Sequence, residues 1–280
     1  MENVGVENIR VMTSVIWMMF ITGILVVAAP IVVVGYLKKY MSVAMAPILL
    51  GFACYLAFSV VLVNVFGGFL MDAGRYVYTA VMIGIVSLFT FLAIFLGLRS
   101  LKKTAVNSSS AFLFAAGYAG FEAWVLGINH FTKAVTALNI NYTGVAGLLA
   151  NEPEEVQQVI LDTAIGIAQI SFFDNFAFLV SGLCIILSVI SSALLIWMYI
   201  QGRTKIISLY VAIGGILVMR ALQTLNQNGL LNAFLMVLAM AGSTFIIANM
   251  AHTAYRRYLN DIKFGKKGKR ASRPDMRDVL

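Results

Sequence analysis

Residues 175–202 read NFAFLVSGLCIILSVISSALLIWMYIQG, with no charged side chain anywhere in the run. A helix rises about 1.5 Å per residue, and about 20 apolar residues cross a hydrocarbon core of about 30 Å. This run is therefore longer than a span requires. It does not alternate polar and apolar residues, as a transmembrane β-strand would. Four more charge-free runs occur at 11–37, 40–71, 76–98 and 221–255. The chain has 280 residues, 61% of them hydrophobic and only 11% charged. A soluble domain carries about 25% charged residues, so the bilayer is the solvent this composition fits.

The pattern predicts an all-α polytopic transmembrane helix bundle. Seven helices are expected, at about 11–36, 43–69, 76–98, 110–136, 166–200, 206–224 and 229–252. The fifth run is long for one span, so its start is expected to be a separate surface helix or part of a tilted one. Residues 1–252 read as one membrane domain and 253–280 as a basic tail. The first apolar run is not a cleavable signal segment: it is too long, and its basic residues, Lys38 and Lys39, follow it. Cys54 and Cys184 sit inside apolar runs and read as packing residues. No internal repeat suggests a transporter of two halves.

Orientation follows from Lys and Arg. Lys38 and Lys39, then Arg99, Lys102 and Lys103, then Arg203 and Lys205 occupy alternate loops. The tail from Tyr255 onward carries nine basic residues against three acidic ones. The other side receives Glu152, Glu154, Glu155, Asp162 and the NQNG turn. The N-terminus is thus expected outside and the C-terminus in the cytoplasm. The same residues account for most of the +8 net charge. They suit anionic lipids, at about 1 kcal/mol per basic residue near the surface. No nucleic-acid-binding fold accompanies them, so nucleic acid is not an expected partner; the bilayer is.

Within this apolar background a few polar residues stand out. Glu122 lies in GYAGFEAWVLGINHF (117–131), Asp174 in SFFDNF (171–176), Arg220 in ILVMRALQ (216–223), and Asp72 and Arg75 in MDAGRY (71–76). A lone charge at mid-bilayer costs about 2.5–3.5 kcal/mol even on the lenient insertion scale, so such residues face the bundle interior and pair. The expected pairs are Glu122 and Asp174 with Arg220, and Asp72 with Arg75. Tyr118 and Glu122, four apart, share a helical face, and Asn129 lies close to the same stripe. A helix-locking role and a polar receiving cavity are both open at this point. His130 and His252 fall near opposite ends of their spans and cannot share a metal; no HExxH or CxxC is present. The Ser108–Ser109–Ser110 triplet reads as a helix cap or loop, no GxSxG occurs, and Gly67–Gly68 and Gly214–Gly215 read as packing glycines. Pro30 and Pro47 are candidate kink positions.

MDAGRY followed by GYAGFEAWVLGINH resembles the YhfC-type intramembrane metalloproteases, within the wider group of CAAX-processing and PrsW-like membrane proteases. That family has an E-E-x-G-R-like helix, then a G-H-G-G-x-E-A helix, then further His-bearing helices, and the similarity extends to about residue 252. Asp72, Gly74 and Arg75 fit the first motif, with Met71 where a carboxylate stands. Gly117, Gly120, Glu122 and Ala123 fit the second, with Tyr118 in place of its histidine. Asp174 stands where a later Glu would be, Gly182 and Cys184 where a His would follow, and Arg220 where another His is expected.

The resemblance therefore implies a peptidase scaffold in a multi-pass cell membrane protein, bacterial by this kinship, without its imidazoles. A metalloprotease needs its ion to lower the pKa of water and polarise the carbonyl. The expected function is a non-catalytic relative that binds a membrane protein or peptide partner, with no resident cofactor. Glu122 would be a remnant of the catalytic cluster, neutralised by Arg220. The alternatives are an active peptidase holding zinc or another divalent cation on Asp72, Glu122 and Asp174, and an ion-coupled transporter.

Overall fold

The structure is a computed structural model describing residues 9–40, 44–70, 74–101, 108–150 and 152–264. Among these residues the regular structure is helical, with no strand. In chain order the helices are α1 (Thr13–Tyr40), α2 (Met45–Gly68), α3 (Arg75–Leu101), α4 (Ser108–Thr143), α5 (Val145–Leu149), α6 (Glu154–Ala168), α7 (Phe172–Ile200), α8 (Ile207–Gln227) and α9 (Ala233–Phe264). All but α5 and α6 are long and apolar enough to cross a membrane, which makes seven spans among the described residues. The chain is an integral membrane protein of the all-α polytopic class.

Two boundaries depart from the sequence reading for identifiable reasons, and a third decides between its two expectations. The stretch 137–165 is not a loop. Helix α4 continues to Thr143, where Gly144 at φ +75° ends it; glycine takes that left-handed conformation without a Cβ penalty. Pro153 then precedes α6, whose first turn carries Glu154 and Glu155, negative charges that suit the positive end of the helix dipole. The long fifth run breaks at 169–171, so of the two expectations for its start the separate helix, α6, is the one found before the span α7. Helix α9 runs on to Phe264, so the first part of the basic tail is helical. The rest of that tail, 265–280, lies outside the described residues.

The chain forms two compact units. The first comprises residues up to Ala28 together with Trp124–Val180. Its core joins Val15, Ile16 and Met19 of α1 to Ala137 and Ile140 of α4 and to Ala164 and Ile167 of α6. Asn141 ties down the start of α1 by both ends of its amide. It accepts from the Val11 N–H at 2.8 Å and donates to the Val11 carbonyl at 2.6 Å. Gly23 and Gly127 let α1 and α4 approach: a Cβ on Gly127 would lie 3.1 Å from the Gly23 carbonyl oxygen.

The second unit comprises Ala29–Ala123 and the residues from Ser181 onward. Helices α2 and α4 meet backbone to backbone. A Cβ on Gly117 would overlap the Ile48 carbonyl, and one on Gly51 would overlap the Phe114 carbonyl and lie 2.7 Å from the Tyr118 amide. Small residues at such crossings replace the hydrophobic drive that lipid removes. Of the glycines expected to pack, Gly215 meets Ile247 and Gly67 meets Met82, whereas Gly68 and Gly214 face open space.

Helix α2 is not α-helical throughout. Over Tyr55–Leu62 it winds as a π-helix, and the Val63 N–H reaches back five residues to the Phe58 carbonyl. Pro47 sits in the first turn of α2 and Pro30 inside α1, where its ring packs against Gly120. Cys54 and Cys184 are free thiols, Cys184 buried.

Candidate functional site

Helix α4 is most enclosed where it carries the GYAGFEA stretch. Phe114, Ala115, Tyr118 and Ala119 are fully buried, and the small residues at 115–117, 119, 120 and 123 bring neighbouring helices close. Glu122 follows one turn after Tyr118 on this face and is only 3% exposed. Its cation comes from α8. Arg220, 7% exposed, meets the carboxylate with both terminal nitrogens. Nη2 donates to Oε2 at 2.8 Å, and Nη1 pairs with Oε1. This fork-on-fork geometry is the strong form of an Arg–carboxylate contact. It is the one ion pair among the described residues.

Two of the three remaining guanidinium donors are also engaged. Nε donates to the Thr90 hydroxyl of α3 at 3.1 Å, and Nη1 also donates to the Gln223 amide oxygen at 2.9 Å. Four of the five N–H donors of an arginine thus have partners. A buried charge pair is tolerated when its geometry is good and its spare donors are satisfied; here the geometry is bidentate and one donor of five is left over. Beside the guanidinium lies a cavity of about 10 Å³, bordered by Thr90, Ser188, Gln223 and Arg220 among apolar neighbours. That is room for about one water molecule.

Tyr118 extends the polar stripe towards α2. Its hydroxyl shares a 2.6 Å hydrogen bond with the Ser59 hydroxyl, and its ring stands edge-on to Tyr55 at 5.3 Å. Tyr55 and Ser59 both belong to the π-helical segment. A widened turn re-aims its side chains, and π-segments inside α-helices occur frequently at functional sites. The result is one connected polar region in the second unit: Ser59 and Tyr118, then Glu122, Arg220, Thr90 and Gln223.

The other residues singled out by sequence do different work. Among the described residues Asp174 pairs with no cation. Its Oδ2 accepts from the Ser171 N–H at 2.8 Å and the Ser171 hydroxyl at 2.7 Å, while the Asp174 N–H approaches that hydroxyl at 3.2 Å. This is a capping box at the start of α7, the reason a Ser-x-x-Asp sequence begins a helix there. Arg75 is exposed at the start of α3 and donates to the Asn228 carbonyl, latching the NQNG turn to that helix. Its expected partner Asp72 lies outside the described residues. Asn129 is exposed and so leaves the buried stripe.

The buried polar residue of that turn is His130. Its Nε2 lies 2.9 Å from the Asn175 amide oxygen, and its ring stacks on Phe178 at 3.9 Å and 9°. Asn175 donates its own amide to the Ser171 carbonyl. Its oxygen therefore faces His130, which makes Nε2 the protonated nitrogen of the ring.

Among the described residues no three His, Cys, Asp or Glu side chains come together. Both oxygens of Glu122 are held by Arg220, and Asp174 is held by Ser171. Ser59, Tyr55, Thr90 and Gln223 carried no signal in the sequence beyond being polar groups in apolar helices. No protein-family model matches this chain, and neither a curated protein nor a solved structure does.

Proposed function

We propose that this membrane protein is a non-catalytic relative of the YhfC-type intramembrane metalloproteases, in a bacterial plasma membrane with its C-terminus in the cytoplasm. In this reading the catalytic cluster has become a structural ion pair. What remains of substrate recognition is binding of a membrane-embedded or membrane-proximal protein or peptide partner. The observation that supports it is the bidentate capture of Glu122 by Arg220, at two positions where the resemblance has metal-site residues. A fixed guanidinium offers the carboxylate the positive charge that an imidazole-held ion would have supplied.

The test is elemental analysis of protein purified without chelators and then dialysed against zinc. The expected result is well under one equivalent of divalent metal, with the same value for Glu122→Gln. Stoichiometric metal that Glu122→Gln abolishes would restore the peptidase. Crosslinking in native membranes supplies the second half of the test. It should trap an intact membrane partner; cleaved fragments of that partner would count against the proposal.

The carboxylate-metal alternative requires Asp72, Glu122 and Asp174 to be available together, and two of the three are already engaged. The transporter reading draws on the small cavity beside Arg220, whose lining is mostly apolar. Solute flux in proteoliposomes that disappears in Glu122→Gln would be its signature.

A further inference from the structure

Helix α9 carries Asn249, Thr253 and Arg257 four residues apart, so the three side chains stack along one side of its last turns. Met250 provides an apolar edge next to them. Across from this ladder stand Ile207, Ser208 and Val211 in the first turns of α8. Together they border a cavity of about 300 Å³. Asn249, Met250, Thr253, Arg257 and Ile207 are exposed, so the groove opens outward from the second unit.

Polarity is graded along the groove. Arg257, near the end of the span, comes first. The hydroxyls of Thr253 and Ser208 follow, then the Asn249 amide, with Val211 and Met250 beside it and Ile207 at the mouth near Thr253. Arg257 has no acidic partner among the described residues, where the one ion pair is Arg220–Glu122. The loop charges assign this end of α8 and α9 to the cytoplasmic side, and Arg203 and Lys205 directly precede α8. A cation, then hydroxyl and amide donors with an apolar wall beside the amide, is the complement of one molecule type. A glycerophospholipid presents a phosphate, then ester carbonyls, then acyl chains in that order. Basic pockets between spans on the cytoplasmic side bind anionic headgroups by this chemistry.

We propose that the groove between α8 and α9 binds an anionic glycerophospholipid of the cytoplasmic leaflet. Arg257 holds its phosphate, and Thr253 and Asn249 donate to its ester carbonyls. Val211 and Met250 flank the upper part of one acyl chain, below Ile207 at the mouth. The remaining chain length runs along the exposed apolar side of α8, where Tyr210 and Leu217 face outward.

The experiment uses the full chain, delipidated in detergent and examined by native mass spectrometry. Phosphatidylglycerol and phosphatidylcholine with identical acyl chains are supplied in equal amounts. The first lipid retained should be phosphatidylglycerol, preferred by about fivefold, the attraction of a single basic residue near the surface. Arg257→Ala should remove the preference, and Arg256→Ala, one residue away, should keep it. Glycerol phosphate, which lacks the acyl chains, should not displace the bound lipid. The proposal is overturned if the wild type shows no preference, or if the preference survives Arg257→Ala. It is equally overturned if Arg256→Ala removes the preference as effectively, which would indicate general surface charge. Displacement by glycerol phosphate would identify a soluble-phosphate site instead.

Discussion

Replacing Arg220 with leucine removes the cation that meets Glu122 and strands a carboxylate that is 3% exposed. Breaking a buried ion pair from one side costs about 3–5 kcal/mol in soluble proteins. Single polar contacts between membrane helices average only about 0.6 kcal/mol, because the unfolded state in lipid also finds partners. A stranded central charge costs about 2.5–3.5 kcal/mol on the insertion scale. Arg220→Leu loses the contact to Thr90 as well as both contacts to Glu122. We therefore expect about 3 kcal/mol, or on the order of a hundredfold in the folded-to-unfolded ratio. Reversible unfolding in mixed micelles, read by steric trapping, measures it. The decisive arm is Glu122→Gln combined with Arg220→Leu. That double variant is neutral at the site and should be less destabilised than Arg220→Leu alone, with a coupling of about 1–3 kcal/mol. If Arg220→Leu costs less than about 0.5 kcal/mol, as a surface change would, the pair does not hold the unit together. If the two single effects simply add, the residues are not coupled.

Gly117→Ala should destabilise the bundle by about 1–3 kcal/mol through overpacking, since its new Cβ would overlap the Ile48 carbonyl. Gly84→Ala, with open space around it, should stay within about 0.5 kcal/mol; melting curves in detergent compare the two. Tyr118→Phe should cost about 1 kcal/mol, as should Ser59→Ala, and the combined variant should cost clearly less than their sum because neither hydroxyl is left behind. Full additivity there would mean that the hydrogen bond between them is not made. Asp174→Ala and Ser171→Ala should each cost about 1 kcal/mol as cap losses. Their effects should be non-additive, and hydrogen exchange should quicken at the first turn of α7.

The spans were legible because a bilayer imposes a coarse rule on sequence: long apolar runs, with basic residues in alternate loops. Glu122 and Arg220 were legible for the same reason, since a charge is conspicuous where lipid should be. Asp174 and Arg75 were conspicuous in the same way, yet each stands at a helix start. There Asp174 meets backbone and hydroxyl donors and Arg75 meets a turn carbonyl. Composition alone does not separate a charge at the centre of a span from one within a turn of its end.

Asn129 and His130 show a finer limit. They are neighbours in sequence, and a rotation of one residue decides which is buried. The partners of the ion pair were not legible at all. Thr90 and Gln223 belong to residue types that apolar helices carry for many reasons, and nothing in YLAFSVVL (55–62) announces a π-turn that points Tyr55 and Ser59 at Tyr118. The close approach of α2 and α4 at Gly51 and Gly117 was equally hidden, because glycines facing open space look the same in sequence.

The most direct measurement is solid-state NMR of the protein in bilayers, with ¹⁵N-arginine and ¹³C-glutamate labels. Paired side chains should give a dipolar contact between a guanidinium nitrogen and the carboxylate carbon of Glu122, lost on substitution of either residue. A Glu122 carboxylate with no arginine within dipolar reach, or one broadened and shifted by a bound divalent ion, would contradict the ion pair.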